Sequence, residues 1–290
     1  MSRERAAAAL RRGSFGRGLV TGLAWLPAEA LAEQPEATGG LDGGASRAAI
    51  ASTLDLDLAF VDAAAPGATA GVEELHAADV AAIWSIDGVF GRVASVLGWM
   101  ETLRMSAAEP GALAARLDAA LHDALVGLRA GLAAGADAVL VADDLAGPAG
   151  PLLSPDYAHD ALLPCYRRLA LEAQLGDVPA LFHSDGDIRA LVPALARAGF
   201  SGIHFAGVEP IVFSASGTAT RAAGLVVLGG IEARALPEHA RDQGERAAAY
   251  AHSFGRAIVC DDGGITTAEQ VTGLATAFTA AREAFRGLAG

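Results

Sequence analysis

Cysteine is almost absent from this 290-residue chain, which contains Cys165 and Cys260 and no others. The two lie far apart and form no CxxC or CxxH pair, so the sequence predicts neither a disulfide framework nor a zinc knuckle. Two isolated cysteines suit a reducing compartment. We therefore expect a cytoplasmic protein.

Positive charge and long apolar runs are also scarce. The chain has 21 Lys and Arg against 34 Asp and Glu, a net charge of −13, which disfavours contacts with a polyanion. No stretch of about 18 apolar residues occurs, and the basic start leads into no apolar signal segment. We expect no nucleic-acid partner, no membrane span and no export.

Three common catalytic signatures are missing: the GxSxG elbow, the P-loop and the dinucleotide fingerprint. The glycine-rich segment 13–18 precedes a predicted strand instead of linking a strand to a helix. Serine hydrolases of the elbow type and nucleotide-cofactor enzymes are therefore disfavoured.

Strand and helix signals alternate along most of the chain. Apolar runs predict eight strands at 19–25, 56–61, 80–86, 138–142, 178–182, 202–205, 225–228 and 257–260. Segments rich in Ala, Leu and Arg predict helices at 110–135, 154–176, 188–199, 235–254 and 266–288. This alternation predicts an α/β protein, a single-domain (β/α)8 TIM barrel over 1–290. A Gly-rich loop around 39–44 is expected near the barrel mouth.

Acidic residues and one histidine stand at the predicted C-terminal ends of these strands, where active sites of such barrels are built. We expect three catalytic residues, His183, Asp185 and Asp144, and four substrate contacts, Asp87, Asp143, Glu209 and Asp262. A simpler interpretation stays open, because acids at such positions also cap helices or face solvent. Of the other six histidines, His204 stands inside the predicted sixth strand, while most of the rest fall in predicted helices.

His183 and Asp185 are two residues apart, and on an extended backbone their side chains project to the same side. Together they predict a metal site that Glu209 completes, with Asp144 or the 261–262 pair as alternatives. Histidine with oxygen ligands suits zinc or another first-row divalent ion. Without metal, the same pair would supply an acid and an orienting carboxylate.

Three ordered segments resemble a known family. They are 139–169, beginning VLVADDLAGPAGP, 181–210, beginning LFHSDGD, and 225–271, containing IVCDDGGITTAEQV. They resemble the uroporphyrinogen decarboxylase superfamily, which includes the cobamide-dependent methyltransferases. The resemblance implies a (β/α)8 barrel.

The chain departs from the residue patterns of both branches of this superfamily, the decarboxylase and the methyltransferases. In the decarboxylase, N-terminal arginines bind the substrate's carboxylates, but the segment GLAWLPAEAL offers none. In the methyltransferases, a zinc is held by a His-x-Cys pair and a further Cys. Here Asp185 stands where the first Cys would be, and the turn 263–265 lacks the second. A metal site of histidine and carboxylates is harder, in the Lewis sense, than a site with thiolates. It therefore suits an oxygen-bearing substrate better than a thiol.

Our preferred interpretation is a corrinoid-linked methyltransferase that acts on a small methylated, methoxy-type substrate. The resemblance implies zinc in the barrel and a corrinoid (cobalamin) carried by a partner protein. Two alternatives stay open: a decarboxylase of uroporphyrinogen or a related carboxylated substrate, and a non-catalytic binder of a corrinoid or small ligand. The oligomeric state is open as well, a homodimer included.

Overall fold

Eight strands form a closed parallel barrel in a computed structural model of the chain, which describes residues 3–12, 19–22, 47–207 and 210–288. Each strand neighbours the next in sequence, and the last pairs with the first. The strands are β1 (Leu19–Gly22), β2 (Leu58–Asp62), β3 (Ala81–Asp87), β4 (Ala138–Ala142), β5 (Ala180–Asp185), β6 (Gly202–Ala206), β7 (Val226–Ile231) and β8 (Ala257–Asp261). The predicted (β/α)8 barrel is confirmed.

Helices precede, separate and follow the strands. They are α1 (Arg3–Arg12), α2 (Arg47–Thr53), α3 (Ala68–Ala77), α4 (Val89–Leu97), α5 (Trp99–Ala108), α6 (Pro110–Ala133), α7 (Pro155–Tyr157), α8 (Leu163–Leu175), α9 (Val192–Ala198), α10 (Pro210–Ala222), α11 (Leu236–Phe254) and α12 (Ala268–Leu288). A π-turn at Ala158–Leu162 joins α7 to α8, and a small hairpin pairs Ala146–Gly147 with Gly150–Pro151. Among the described helices, none combines the length and apolar character that a membrane span requires.

The observed β5, Ala180–Asp185, begins and ends later than the predicted strand at 178–182. Val178 still belongs to the turn that ends α8, since its N–H donates to the carbonyl of Ala173. At the other end, parallel pairing with β6 continues as far as Asp185, opposite Ala206. His183 and Asp185 therefore lie within the strand, where the sheet fixes their backbone.

The chain forms two compact units, and the first comprises 1–83 and 226–290. Within it, α11 and α12 approach so closely that a Cβ on Gly244 would lie 2.0 Å from the carbonyl oxygen of Ala277. The guanidinium of Arg282 on α12 lies 3.1 Å from the buried carboxylate of Asp57. The ion pair thus joins the two chain segments of this unit, and close packing joins α11 to α12 within the second segment.

The second unit, 84–225, contains β4, β5 and β6 and the helices between them. Phe182 on β5 packs edge-on against Tyr166 of α8 and against Phe200, with ring centroids 5.1 and 5.3 Å away. Because side chains alternate along a strand, His183 is turned to the face opposite this aromatic layer. The second unit therefore carries His183 on the side of its strands that faces away from the helices.

Candidate metal centre at the ends of β4 and β5

Asp143, directly after β4, caps the N-terminus of α4. The N-cap position of α4 is Gly88, which has no side chain to offer, so the first turn needs an acceptor from elsewhere. Asp143 supplies it, because its Oδ2 accepts from the N–H of Phe90 at 2.9 Å and its Oδ1 from that of Gly91 at 2.6 Å. The hydroxyl of Tyr166 donates to Oδ2 as well, at 2.7 Å.

Burial dominates the chemistry of Asp143, whose side chain is almost inaccessible to solvent. Loss of hydration raises the pKa of its carboxyl to about 6, although the three hydrogen bonds act in the opposite direction. Burial and the neighbouring carboxylate likewise raise the pKa of Tyr166 well above its usual range. Asp143 was expected to contact substrate, and the structure places it in a helix cap instead of at an open surface.

Asp144, the next residue, faces His183 and Asp185. Its Oδ1 lies 3.6 Å from Nε2 of His183, and Oδ1 of Asp185 lies 3.6 Å from the same nitrogen. One ligand atom from each of the three residues lies within 4.8 Å of the others. The imidazole is buried, whereas the side chains of Asp144 and Asp185 are 43% and 56% exposed. The cluster thus combines a buried imidazole with two partly exposed carboxylates.

The loop after β4 is hydrogen-bonded to the end of β5, and this orients the carboxylate of Asp144. The N–H of Asp185 donates to Oδ1 of Asp144 at 2.9 Å, and the N–H of Leu145 donates to Oγ of Ser184 at 3.0 Å. Gly186 has a φ of 77°, and a Cβ there would lie 2.6 Å from the carbonyl oxygen of Ala146. Only glycine combines that backbone conformation with so close an approach.

Burial and the neighbouring His204 hold the pKa of His183 well below its usual range, although a hydrogen bond with the backbone of His204 opposes the shift. The imidazole is therefore neutral near pH 7, so its contacts with the two carboxylates are not ion pairs. Two carboxylates beside a neutral nitrogen give a local charge of about −2, which a divalent cation would neutralise.

The donor set fits a zinc-like ion. Zinc binds imidazole nitrogen and carboxylate oxygen at about 2.0 to 2.2 Å, so two of its tetrahedral ligand atoms lie about 3.4 Å apart. The 3.6 Å separations from Nε2 of His183 to both carboxylates are close to that spacing. Three protein ligands would leave a fourth position for water or substrate, as catalytic zinc sites do.

The other predicted site residues lie elsewhere or outside the described residues. Asp87 ends β3 with its side chain exposed, and its carbonyl accepts from Nε of Arg92. Asp262, in the first unit, accepts from the N–H of Ala233 at 3.0 Å and from that of Gly264 at 3.4 Å. Glu209, expected as the third metal ligand, and the Gly-rich loop at 39–44 lie outside the described residues.

His204 was not among the predicted site residues, although it contacts His183 directly. The two are Cα partners in the β5–β6 register, and their Nδ1 atoms lie 3.0 Å apart. The available signal was a histidine within an otherwise apolar strand. Pairing it with His183 required the strand register, which the sequence alone does not supply.

Comparison with known proteins places this geometry in a family. The sequence profile of the family described as uroporphyrinogen decarboxylase (URO-D) matches residues 68–250, well over half of the chain. The chain belongs to the uroporphyrinogen decarboxylase family. The matched range contains every residue of the Asp144, His183 and Asp185 cluster. No curated protein matches the chain in sequence.

Solved structures show the same barrel at low identity. A methyltransferase from Methanosarcina mazei has a TM-score of 0.70 and 18% identity, covering 96% of this chain and 98% of the other. An archaeal fructose 1,6-bisphosphate aldolase has a TM-score of 0.52 and 14% identity, covering 97% and 100%. Tryptophan synthase from M. tuberculosis has a TM-score of 0.51 and 14% identity, covering 96% and 97%. At these identities, the likeness is evidence for the fold of this URO-D family member and not for its reaction.

Proposed function

We propose that this URO-D family member is a methyltransferase that moves a methyl group from a small methoxy-type substrate to a corrinoid carried by a partner protein. The observation that carries the proposal is the cluster of Asp144, His183 and Asp185, whose ligand atoms converge within 4.8 Å. The methyltransferase from Methanosarcina mazei shares the barrel fold, which is consistent with the proposal. The corrinoid partner, a homodimeric state and a cytoplasmic location stay predictions.

In this proposal, Asp144, His183 and Asp185 hold a divalent ion, zinc being the first candidate. A zinc ion bound there would act as a Lewis acid on the ether oxygen of the substrate. The two carboxylates make the site harder than a thiolate site, which favours an oxygen ligand over sulfur. The donor set therefore supports a methoxy compound as the substrate class.

The residues of the chain would supply the remaining requirements. The buried ring of His183 keeps one side of the site dry, and the half-open carboxylates leave the other side accessible to substrate. In the net reaction the O–CH3 bond breaks, and the oxygen keeps the electron pair and takes up a proton from solvent. The methyl group passes to a corrinoid in the Co(I) state, whose cobalt supplies the electron pair of the new Co–CH3 bond. Asp87, Glu209 and Asp262 are proposed as substrate contacts, and Asp143 as the residue that fixes the start of α4.

Metal analysis of protein purified without chelator tests the site first. We expect about one zinc per chain in the wild type and almost none in His183→Ala. His159→Ala is the matched control, because His159 is an exposed histidine whose ring bonds to the neighbouring Asp160. Metal-free wild-type protein would contradict the proposed site.

Methyl transfer tests the reaction. Mixing the zinc-loaded protein with cob(I)alamin and a series of methoxy compounds should give the methylcobalamin spectrum with at least one donor, and His183→Ala should give none. Metal-free protein that turns over uroporphyrinogen would overturn the proposal in favour of the decarboxylase. Absence of transfer with every donor class would favour a binder.

A further inference from the structure

His204 on β6 lies beside His183 across the β5–β6 pair, and its side chain is completely buried. The ring centroids are 4.9 Å apart with an interplanar angle of 35°, and the two Nδ1 atoms are 3.0 Å apart. At that distance the two nitrogens form one hydrogen bond with a single proton between them, because two N–H groups would repel each other and so would two lone pairs. One ring is therefore the donor and the other the acceptor.

The direction of this hydrogen bond decides what the opposite nitrogen of His183 can do. Nε2 is the atom that lies 3.6 Å from both Asp144 and Asp185. A nitrogen that binds a metal ion must present a lone pair, so the proton of a neutral ring must then be on Nδ1. Metal binding at Nε2 therefore requires that His183 donates and that His204 accepts.

We infer that His204 is a positioning residue that fixes the tautomer and ring orientation of His183 by accepting a hydrogen bond from its Nδ1. The inference rests on the proposed function, since it assigns Nε2 of His183 to a divalent ion. His204 acts through His183 and contacts neither substrate nor ion. An acceptor behind a ligating histidine typically changes metal affinity by about 10-fold to 100-fold.

Two substitutions separate the acceptor from the bulk of the ring. His204→Phe keeps a ring of similar size and removes the acceptor, whereas His204→Asn places an amide oxygen near the position of Nδ1. We expect Zn²⁺ affinity, measured by competition with a chromogenic chelator, to fall by about 10-fold to 100-fold in the Phe variant and by less than about 3-fold in the Asn variant. Unchanged affinity in the Phe variant, or an equal loss in both variants, would overturn the inference.

The tautomer can also be measured in the Zn²⁺-loaded wild type. Side-chain ¹⁵N NMR distinguishes protonated from unprotonated ring nitrogens, and we expect protons on Nδ1 of His183 and on Nε2 of His204, with Nδ1 of His204 unprotonated. A proton on Nδ1 of His204 in protein that binds Zn²⁺ would overturn the inference and leave the proposed metal site standing. Wild-type protein that binds no Zn²⁺ would contradict the proposed function and, with it, this inference.

Discussion

Two pairs of consecutive aspartates, Asp143-Asp144 after β4 and Asp261-Asp262 at the end of β8, look alike in sequence and differ in surroundings. In both pairs the first residue is buried and the second is partly exposed. The neighbouring strand makes the difference: Ala142 lies opposite His183, whereas Cys260 lies opposite Gly230.

Within the described part of the chain, a group of three potential metal ligands occurs at the β4 pair and not at the β8 pair. The carboxylate of Asp262 instead accepts hydrogen bonds from the backbone N–H groups of Ala233 and Gly264. Acidity at a strand end is therefore common to both places. What distinguishes the candidate site is the side chains that the adjacent strand brings beside the acid.

The largest expected effect distinguishes the second aspartate of each pair, Asp144 and Asp262. Asp144→Ala removes one of three ligands, so we expect Zn²⁺ affinity to fall by about 1,000-fold, or about 4 kcal/mol. Asp262→Ala should change it by less than about 3-fold. Chelator competition on both variants measures this, and a similar loss in the two would mean that the β8 pair also belongs to the metal site.

The next effect concerns stability and the capping role of the first pair. Asp143→Ala leaves the N–H groups of Phe90 and Gly91 and the hydroxyl of Tyr166 without their acceptor, so we expect a loss of about 3 kcal/mol. Asp262→Ala, which removes the acceptor of Ala233, should cost about 1 kcal/mol.

Urea unfolding at pH 5 with a chelator present tests these two values, because Asp143 is then largely protonated and no metal contributes. The exposed Asp160→Ala serves as the control, and we expect it to stay within about 0.5 kcal/mol of the wild type. Equal losses in Asp143→Ala and Asp262→Ala would mean that the buried cap on α4 is worth no more than the partly exposed acceptor at Ala233.

The fold followed from the sequence because eight apolar runs were separated by helical segments, and each run contains part of a barrel strand. The helices at 3–12, 47–53, 68–77, 89–97, 99–108 and 210–222 were not predicted, chiefly because alanine suits either face of a helix and blurs the period. The end of β5 was placed too early, because hydrogen bonding to β6, and not apolar character, carries the strand on to Asp185.

The sequence predicted which strand ends contribute to the candidate site, but not which side chains contact one another there. His183 and Asp185 share a strand, so their alternation could be read from the chain. The roles of Asp143 and Asp144 could not be separated, since both follow β4 and the distinction depends on where α4 begins. His204 required the register between two strands, which is a tertiary property.

A third prediction compares the glycines that face the two pairs. Gly88 has a φ of −75°, which alanine adopts freely, but a Cβ there would lie 2.2 Å from Oδ2 and 2.4 Å from Cβ of Asp143. Rotation of the Asp143 side chain cannot relieve a clash with its own Cβ, so Gly88→Ala should cost about 2 to 3 kcal/mol. On the β8 side, a Cβ on Gly264 would meet Oδ1 of Asp262 at an ordinary 3.5 Å.

Gly264→Ala should therefore change the free energy of unfolding by less than about 0.5 kcal/mol. Urea unfolding of the two variants under identical conditions measures the contrast. If Gly88→Ala were as stable as Gly264→Ala, α4 would have to be free to shift away from Asp143, and the cap would not fix its position.

The smallest expected effect is the pH dependence that Asp143 gives to folding. Its pKa is about 6 in the folded chain against an ordinary value of 3.8, chiefly because the carboxyl is buried. An acid whose pKa is raised by folding stabilises the fold below the unfolded pKa, and this contribution is lost as the pH rises through the folded pKa. Between pH 4 and pH 6.5, the wild type should therefore lose about 2 kcal/mol relative to Asp143→Asn, which cannot ionise there.

Unfolding free energies of the two proteins, measured across this range with a chelator present, give the difference directly, since every other titrating group is common to both. Parallel curves would mean that the donors from Phe90, Gly91 and Tyr166 offset the full cost of burying a charge. The carboxylate would then be as easily ionised as one in solvent. In that case the two aspartate pairs would differ only through the strand beside them, because His183 would remain next to one pair and Gly230 next to the other.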